Sequence, residues 1–558
     1  MTSSPPVQGS QVKKTLLVLA LLSTAAIAQA PQFSTDRLTQ DIRTLSSDAF
    51  EGRGPATPGE DKTIAYLARQ MQAAGLQPAG DTEAGKRTWY QKVPLLRASI
   101  KDSAPRMVLT LDGKAMPLTQ GEQIAMRAPL TGQAHVTIDN APLVFVGYGV
   151  DAPERKWDDF KGVDVKGKML VVLVNDPDFE TGQGDFGGKA MTYYGRWTYK
   201  YEEAARRGAA GVLIVHETDP ASYGWNTVKN SNTNAMFDVV RKGPKAEHTP
   251  AEAWIQRDEA IAIFKASGLD FEAEKKKAQS RGFRPVPLKA SFSADYDVNS
   301  EVITSHNVAG MVKGSSHPDE AVVYSAHWDH LGVGEPDAKG DRIYNGAVDN
   351  ATGTAQLLEL ARAFAKGPKS ERSVLFLAVT AEEKGLLGSE YYAANPLFPL
   401  GKTVGVINMD GGSIAGATKN FTISGSAKLG LLDDLTKLAA AEDRSYAPDP
   451  HPEAGGFYRS DHFPFAKRGV PAISFDGGND LVNGGIARGE ALGKAYVKDR
   501  YHQPADEWSP DWDLTGMQND LGLLYTLGQN LANSREWPNW SMDSEFRAAR
   551  DKTAAERK

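Results

Sequence analysis

Glu382 and Glu383 stand side by side at the end of an apolar run, a position that suits them for metal chemistry. The run Val374 to Val379 (VLFLAV) has the length and the β-branched, bulky composition of a strand buried on both faces. In open α/β sheets, ligands bind at the carboxyl edge of such strands. Neighbours in an extended segment point opposite ways, so one glutamate can face a metal ion while the other faces its bound water. Acids also favour helix N-termini for the dipole alone, so the pair gains its meaning from its company. Ala321 to Ser325 is a second apolar strand. It runs into Ala326-His327-Trp328-Asp329-His330, where an imidazole can ligate and a carboxylate two residues on can orient the ring. Thr403 to Ile407 is a third, ending at Asn408-Met409-Asp410. Two loops add Asp349, within Tyr344 to Gly353, and His502, within Lys498 to Asp506. Asp349 is placed equally well to cap the helix that follows, whose buried side carries Thr354, Leu357, Leu358, Leu360, Ala361 and Phe364.

Imidazoles and carboxylates without a thiol suit zinc, or cobalt and manganese as substitutes. The chain has no cysteine at all, which excludes thiol catalysis, cysteine-ligated zinc and disulfides. His327, Asp349, one of the paired glutamates, Asp410 and His502 are more ligands than one catalytic zinc takes, because such a site uses three and keeps a position for water. A carboxylate shared between two ions resolves the count and implies a two-metal centre with the ions about 3.5 to 4 Å apart.

The elements that must position these residues belong to a long chain. Its 558 residues exceed what one hydrophobic core supports, so two or more domains are expected. The net charge of −7 argues against a nucleic-acid partner. At the N-terminus Lys13-Lys14 precede the apolar run Thr15 to Leu22 and the small residues up to Ala30, the layout of a secretory signal peptide cleaved after Ala28. The apolar stretch is short of the ~20 residues that span a bilayer, so no stable membrane association is expected after cleavage. Asp36 to Leu45 and Asp61 to Ala74 show helical spacing, with Gly75 as a C-cap. Between them Glu51 to Gly59 is a glycine and proline loop that either connects or packs beside a site. From Ala141 the texture changes to short strands, Leu143 to Val150, Met169 to Val174 and Gly211 to Val215, with a helix over Tyr199 to Arg207. Val163 to Lys168 and Ala204 to Val215 (AARRGAAGVLIV) look like the protease-associated domain inserted in many exopeptidases. No cluster of ligand-type residues lies in it, so a lid or spacer is the expected role.

Taken together, several motifs resemble the M28 family of zinc exopeptidases, of the bacterial aminopeptidase type, over residues 36 to 534. They are His327-Trp328-Asp329, Asp349-Asn350-Ala351-Thr352-Gly353, Glu382-Glu383 before Gly385, Asn408-Met409-Asp410, Arg459 to Phe465, Tyr501-His502 and Glu51-Gly52-Arg53. The resemblance implies an α/β fold, a mixed, mostly parallel sheet flanked by helices, with a smaller β-rich domain inserted. It implies two Zn2+ per chain: His327 and Asp410 on one, Glu383 and His502 on the other, Asp349 bridging. Glu382 becomes the general base, Tyr501 stabilises the oxyanion and Asp329 braces His327. The departure is the segment Gly332 to Asn345, longer than in compact members. The division expected is 1–28 signal peptide, 29–140 the start of the peptidase domain, 141–290 the inserted domain, 291–534 the zinc peptidase domain and 535–558 a polar tail. The expected function is an exported, periplasmic or secreted aminopeptidase acting on peptides with a free N-terminus. The alternatives are a carboxypeptidase of the same fold, a glutaminyl cyclase and a non-catalytic binding module. A carboxypeptidase needs an arginine aimed at a terminal carboxylate, with Arg459, Arg468, Arg488 and Arg500 as candidates. Phe457, Tyr458, Phe463 and Phe465 suit an apolar specificity pocket as well as they suit a core.

Overall fold

The computed structural model describes residues 1–4, 31–102, 104–243, 247–334 and 336–557, so the expected signal peptide falls, from residue 5 on, outside the described residues. The strand His317–His327 lies at the centre of the main sheet. It pairs in parallel with Arg372–Val379 on one side and Thr403–Met409 on the other, and Ala472–Asp476 extends the parallel set. Every residue of Arg372–Val379 and Thr403–Met409 is buried, as strands covered on both faces require. Antiparallel neighbours close the set: the end of Val286–Val312 lies beside Arg372–Val379, and Asn420–Ile423 beside Ala472–Asp476. The helices Pro58–Ala74, Gly353–Lys366 and Thr515–Asn533 pack against one another and against this sheet, so the fold is the mixed α/β architecture expected. Because the four central strands run the same way, their carboxyl ends share one edge.

Val286–Val312 belongs to two bodies. Its second half pairs with Tyr90–Ile100 and the main sheet, and its first half pairs with Arg106–Leu111 and His135–Phe145. Around that first half a second core gathers Phe145, Leu213, Phe264 and Phe292, with the parallel strands Met169–Leu173, Gly211–His216 and Ala251–Gln256. Met107 and Leu109 already contribute to this core, upstream of the change in texture at Ala141. The strand expected over Leu143 to Val150 instead runs His135–Phe145. Gly147 and Gly149, both in the left-handed region, turn the chain away after Phe145. Among the described residues no helix is long and apolar enough to cross a membrane.

Two peripheral stretches read differently in the fold. The stretch expected as a polar tail over 535–558 is docked through its described residues: Trp540 and Arg550 are buried, and Arg550 donates hydrogen bonds to the carbonyls of Thr403 and Val404. The Glu51-Gly52-Arg53 loop is likewise no mere connection. Arg53 is buried, and its guanidinium donates to the carbonyls of Leu45, Trp328, Asn345 and Gly346. It thereby ties together the two loops that carry His327 and Asp349. At Gly52, with φ +64°, a Cβ would stand 2.5 Å from the Gly332 carbonyl oxygen, so the longer segment after His327 closes directly over this glycine.

Candidate metal centre

Four of the expected residues come from the ends of three adjacent parallel strands. His327 ends His317–His327, Asp410 follows Thr403–Met409, and Glu382-Glu383 follow Arg372–Val379 by one turn through Ala381, which has φ +53°. Asp349 arrives on the turn Ala347–Thr352 before the helix Gly353–Lys366. Asp349 is not that helix's cap. The N–H groups of Gly353 and Gly411 both donate to Oδ1 of Asn350, whose Nδ2 donates to the Met409 carbonyl. A Cβ on Gly353 would lie 2.2 Å from that Oδ1, which explains a glycine at the end of the Asp-Asn-Ala-Thr-Gly motif. With Asn350 serving the turns, the Asp349 carboxylate is left to the site.

The geometry divides around Asp349. Its Oδ1 lies 3.2 Å from Nε2 of His327, which is also 3.0 Å from Oδ1 of Asp410. Its Oδ2 lies 3.2 Å from Nε2 of His502, which is also 3.2 Å from Oε2 of Glu383. His327, Asp349, Glu383, Asp410 and His502 are thus brought together, in two groups that share one carboxylate. Glu382 lines the same cleft, together with Tyr501, whose ring stacks on His502 at 3.9 Å. The cleft measures about 1310 Å³.

Asp329 behaves differently from the expectation. Its carboxylate is 3.8 Å from Nδ1 of His327, and the hydrogen bond from that nitrogen goes to the Asp329 main-chain carbonyl at 3.1 Å. The carboxylate Oδ1 instead accepts the N–H of Glu382 at 3.1 Å. With Nδ1 donating to a carbonyl, a neutral His327 turns the lone pair of Nε2 toward two carboxylates, an arrangement that needs a proton or a cation between them.

Several residues that hold the site were not legible as such. Oγ of Ser460 donates to Oδ2 of Asp410 at 2.6 Å, and Oγ of Ser389 donates to Oδ1 of buried Asp461. Asp506 accepts the N–H groups of Val348 and Asp349 on its two carboxylate oxygens. His330 is fully buried, with Nδ1 2.6 Å from Oε1 of Glu383. Ser460 and Asp461 lie in a stretch the resemblance singled out and Asp506 ends the loop that carries His502, but their partners are 50 to 158 positions away.

The electrostatics separate the two glutamates. Burial, with Asp410 and Glu383 nearby, holds the Glu382 carboxyl well above the usual carboxylate range, although His327 opposes. Burial and Asp349 also press Glu383 upward, but His330 and His502 outweigh them and bring it down to about 2. The donor set fits zinc. Imidazole and carboxylate atoms converge without a thiol, two overlapping groups lie close enough to hold an ion, and among the described residues His502 Nε2 and Glu383 Oε1 are buried without a hydrogen-bond partner.

The mixed α/β sheet thus gathers imidazoles and carboxylates at its carboxyl edge, where such sheets bind ligands. Residues 307–525 match the family model described as Peptidase family M28. "Probable glutamate carboxypeptidase AMP1" of Arabidopsis thaliana is 26% identical over 333 residues, covering 54% of this chain and 42% of that protein. "Probable zinc metalloprotease" of Pyrenophora tritici-repentis is 37% identical over 116 residues, 20% of this chain and 26% of that protein. The chain therefore spans less than half the length of either relative. A solved structure, "Aminopeptidase from Aneurinibacillus sp. strain AM-1", aligns over 90% of this chain and 95% of its own, at 19% identity and a TM-score of 0.49.

Proposed function

We propose that the chain is an exported aminopeptidase that works with two zinc ions, Asp349 bridging them and Glu382 acting as general base. The observation that carries this reading is the division of Asp349, Oδ1 toward His327 and Oδ2 toward His502, each at 3.2 Å. Zinc, when bound, supplies Lewis acidity toward a carbonyl oxygen and lowers the pKa of water. Glu382 is the acid of the site that faces the cleft without an imidazole in contact, so its carboxylate is free to take the proton of the attacking water. It then returns that proton to the leaving amine. The N–H bond to Asp329 fixes the backbone from which Glu382 projects. Tyr501 presents its phenol at the same cleft, where it can donate to a developing oxyanion. Glu490, Asp499, Asp511 and Asp513 line the cleft with the site's own acids, a field that favours the ammonium group of a peptide N-terminus.

Arg459 favours a second reading, a carboxypeptidase. It lines the cleft beside Asp410 and Tyr501, and among the described residues its side chain forms no ion pair. Arg500 and Arg488 also line the cleft. Arg468 is withdrawn from the question by its ion pair with Glu390. The test is a panel of aminoacyl chromogenic amides beside their N-acetylated twins, with and without a chelator. The aminopeptidase cleaves only the unblocked substrates and stops when chelated; preference for blocked peptides establishes the carboxypeptidase instead.

A further inference from the structure

The two halves of the site are not equivalent, and the difference lies in His330. Around His327 the gathered donors are His327 Nε2, Asp349 Oδ1 and Asp410 Oδ1. Around His502 they are His502 Nε2, Asp349 Oδ2 and Glu383 Oε2, and a second imidazole stands beside them. The His330 side chain is wholly buried, and among the described residues neither of its ring nitrogens has a hydrogen-bond partner. A buried imidazole left unpaired is costly, so such a ring needs a partner. Its Nδ1 approaches Oε1 of Glu383 to 2.6 Å, outside hydrogen-bond direction, and its ring centre lies 5.7 Å from that of His502. His330, Asp349 and Glu383 each offer an atom within 4.8 Å of the others, the spacing of ligands round one ion. The ring has no freedom to leave. A Cβ on Gly346 would lie 2.5 Å from its Cγ, and the His330 N–H donates to the carbonyl of Arg53, itself buried.

We propose that His330 is a nitrogen ligand of the ion at Glu383 and His502, an assignment that rests on the two-zinc reading above. That position then has four protein donors, His330, His502, Glu383 and the shared Asp349, the complement of a closed, firmly held zinc. The His327 position has three and stays open, next to Glu382. The two ions therefore differ in retention: one exchanges readily and the other does not. The sequence places the imidazole here through His330, three residues after His327 and one after Asp329.

The experiment is zinc K-edge absorption on the fully loaded full-length protein and on His330→Gln, with zinc content after dialysis against a mild chelator. Three histidines over two ions predict about 1.5 imidazoles per zinc in the wild type and about one in His330→Gln. The wild type keeps about one ion through the dialysis, and His330→Gln loses it, with affinity falling by more than the ~10- to 100-fold that removing an outer partner costs. Two ions per chain with about one imidazole each in the wild type overturns the assignment and needs no folded variant. A wild type that takes up only one ion when reconstituted overturns the two-zinc reading itself, a result distinct from the first.

Discussion

Oγ of Ser460 donates a 2.6 Å hydrogen bond to Oδ2 of Asp410, which leaves Oδ1 of the same carboxylate 3.0 Å from Nε2 of His327. The hydroxyl, held in turn by the amide of Asn408, selects which oxygen Asp410 turns to the site. Ser460→Ala frees that carboxylate to rotate. Zinc affinity at the His327 position is expected to fall by ~10- to 100-fold while the other position is unaffected, as read by titration with a metal-chelating indicator.

The neighbouring glutamates separate under mutation. Glu382→Gln removes the proton acceptor and leaves the gathered imidazoles and carboxylates intact, so zinc content persists while kcat falls by ~10²-fold or more. Glu383→Gln replaces an anionic oxygen with a weak neutral donor, so the ion that the wild type keeps through mild chelation is stripped as well. Metal analysis and kinetics on both variants decide the roles. Loss of metal from Glu382→Gln with both ions kept by Glu383→Gln would reverse them.

Arg53 is a strut between loops, and removing it strands four carbonyls that its guanidinium now satisfies. Each buried carbonyl left unpaired costs ~1 to 3 kcal/mol, so Arg53→Met is expected to lower stability by at least about 3 kcal/mol. Urea unfolding measures this. Because Trp328 and Gly346 flank His327 and Asp349, zinc binding should weaken in the same variant, even well below its unfolding midpoint.

His248 makes stability depend on pH in the second body of the fold. Burial alone would lower its imidazolium, but Glu252 and Asp238 outweigh burial and push it up to about 10 from an ordinary 6.5. A group held above its unfolded value contributes its full stability below that value and loses it as pH rises through the folded one. The urea midpoint of the wild type is therefore expected to fall, relative to His248→Gln, between pH 6.5 and about 10. A difference between the two proteins that stays constant across this window would refute the charge pairing.

The sequence by itself determined where strands end and which side chains stand there. Apolar runs such as Val374 to Val379 carry their own burial, and an acid or imidazole at the end of one must face the sheet's carboxyl edge. The strand expected as far as Val150 ends at Phe145, where Gly147 and Gly149 turn the chain away. Tertiary structure alone decided which residues hold the site in place. Arg53 reaches carbonyls more than 270 positions away, Ser460 meets Asp410 across 50 and Asp506 meets Asp349 across 157. The same holds for Asp329, which the i, i+2 spacing aims at His327 and whose Oδ1 instead accepts the N–H of Glu382. It holds again for Trp540, whose burial turns a polar C-terminal stretch into part of the core. A hydrogen bond or a packed ring depends on where the chain returns to itself, and spacing along the chain carries no record of that return.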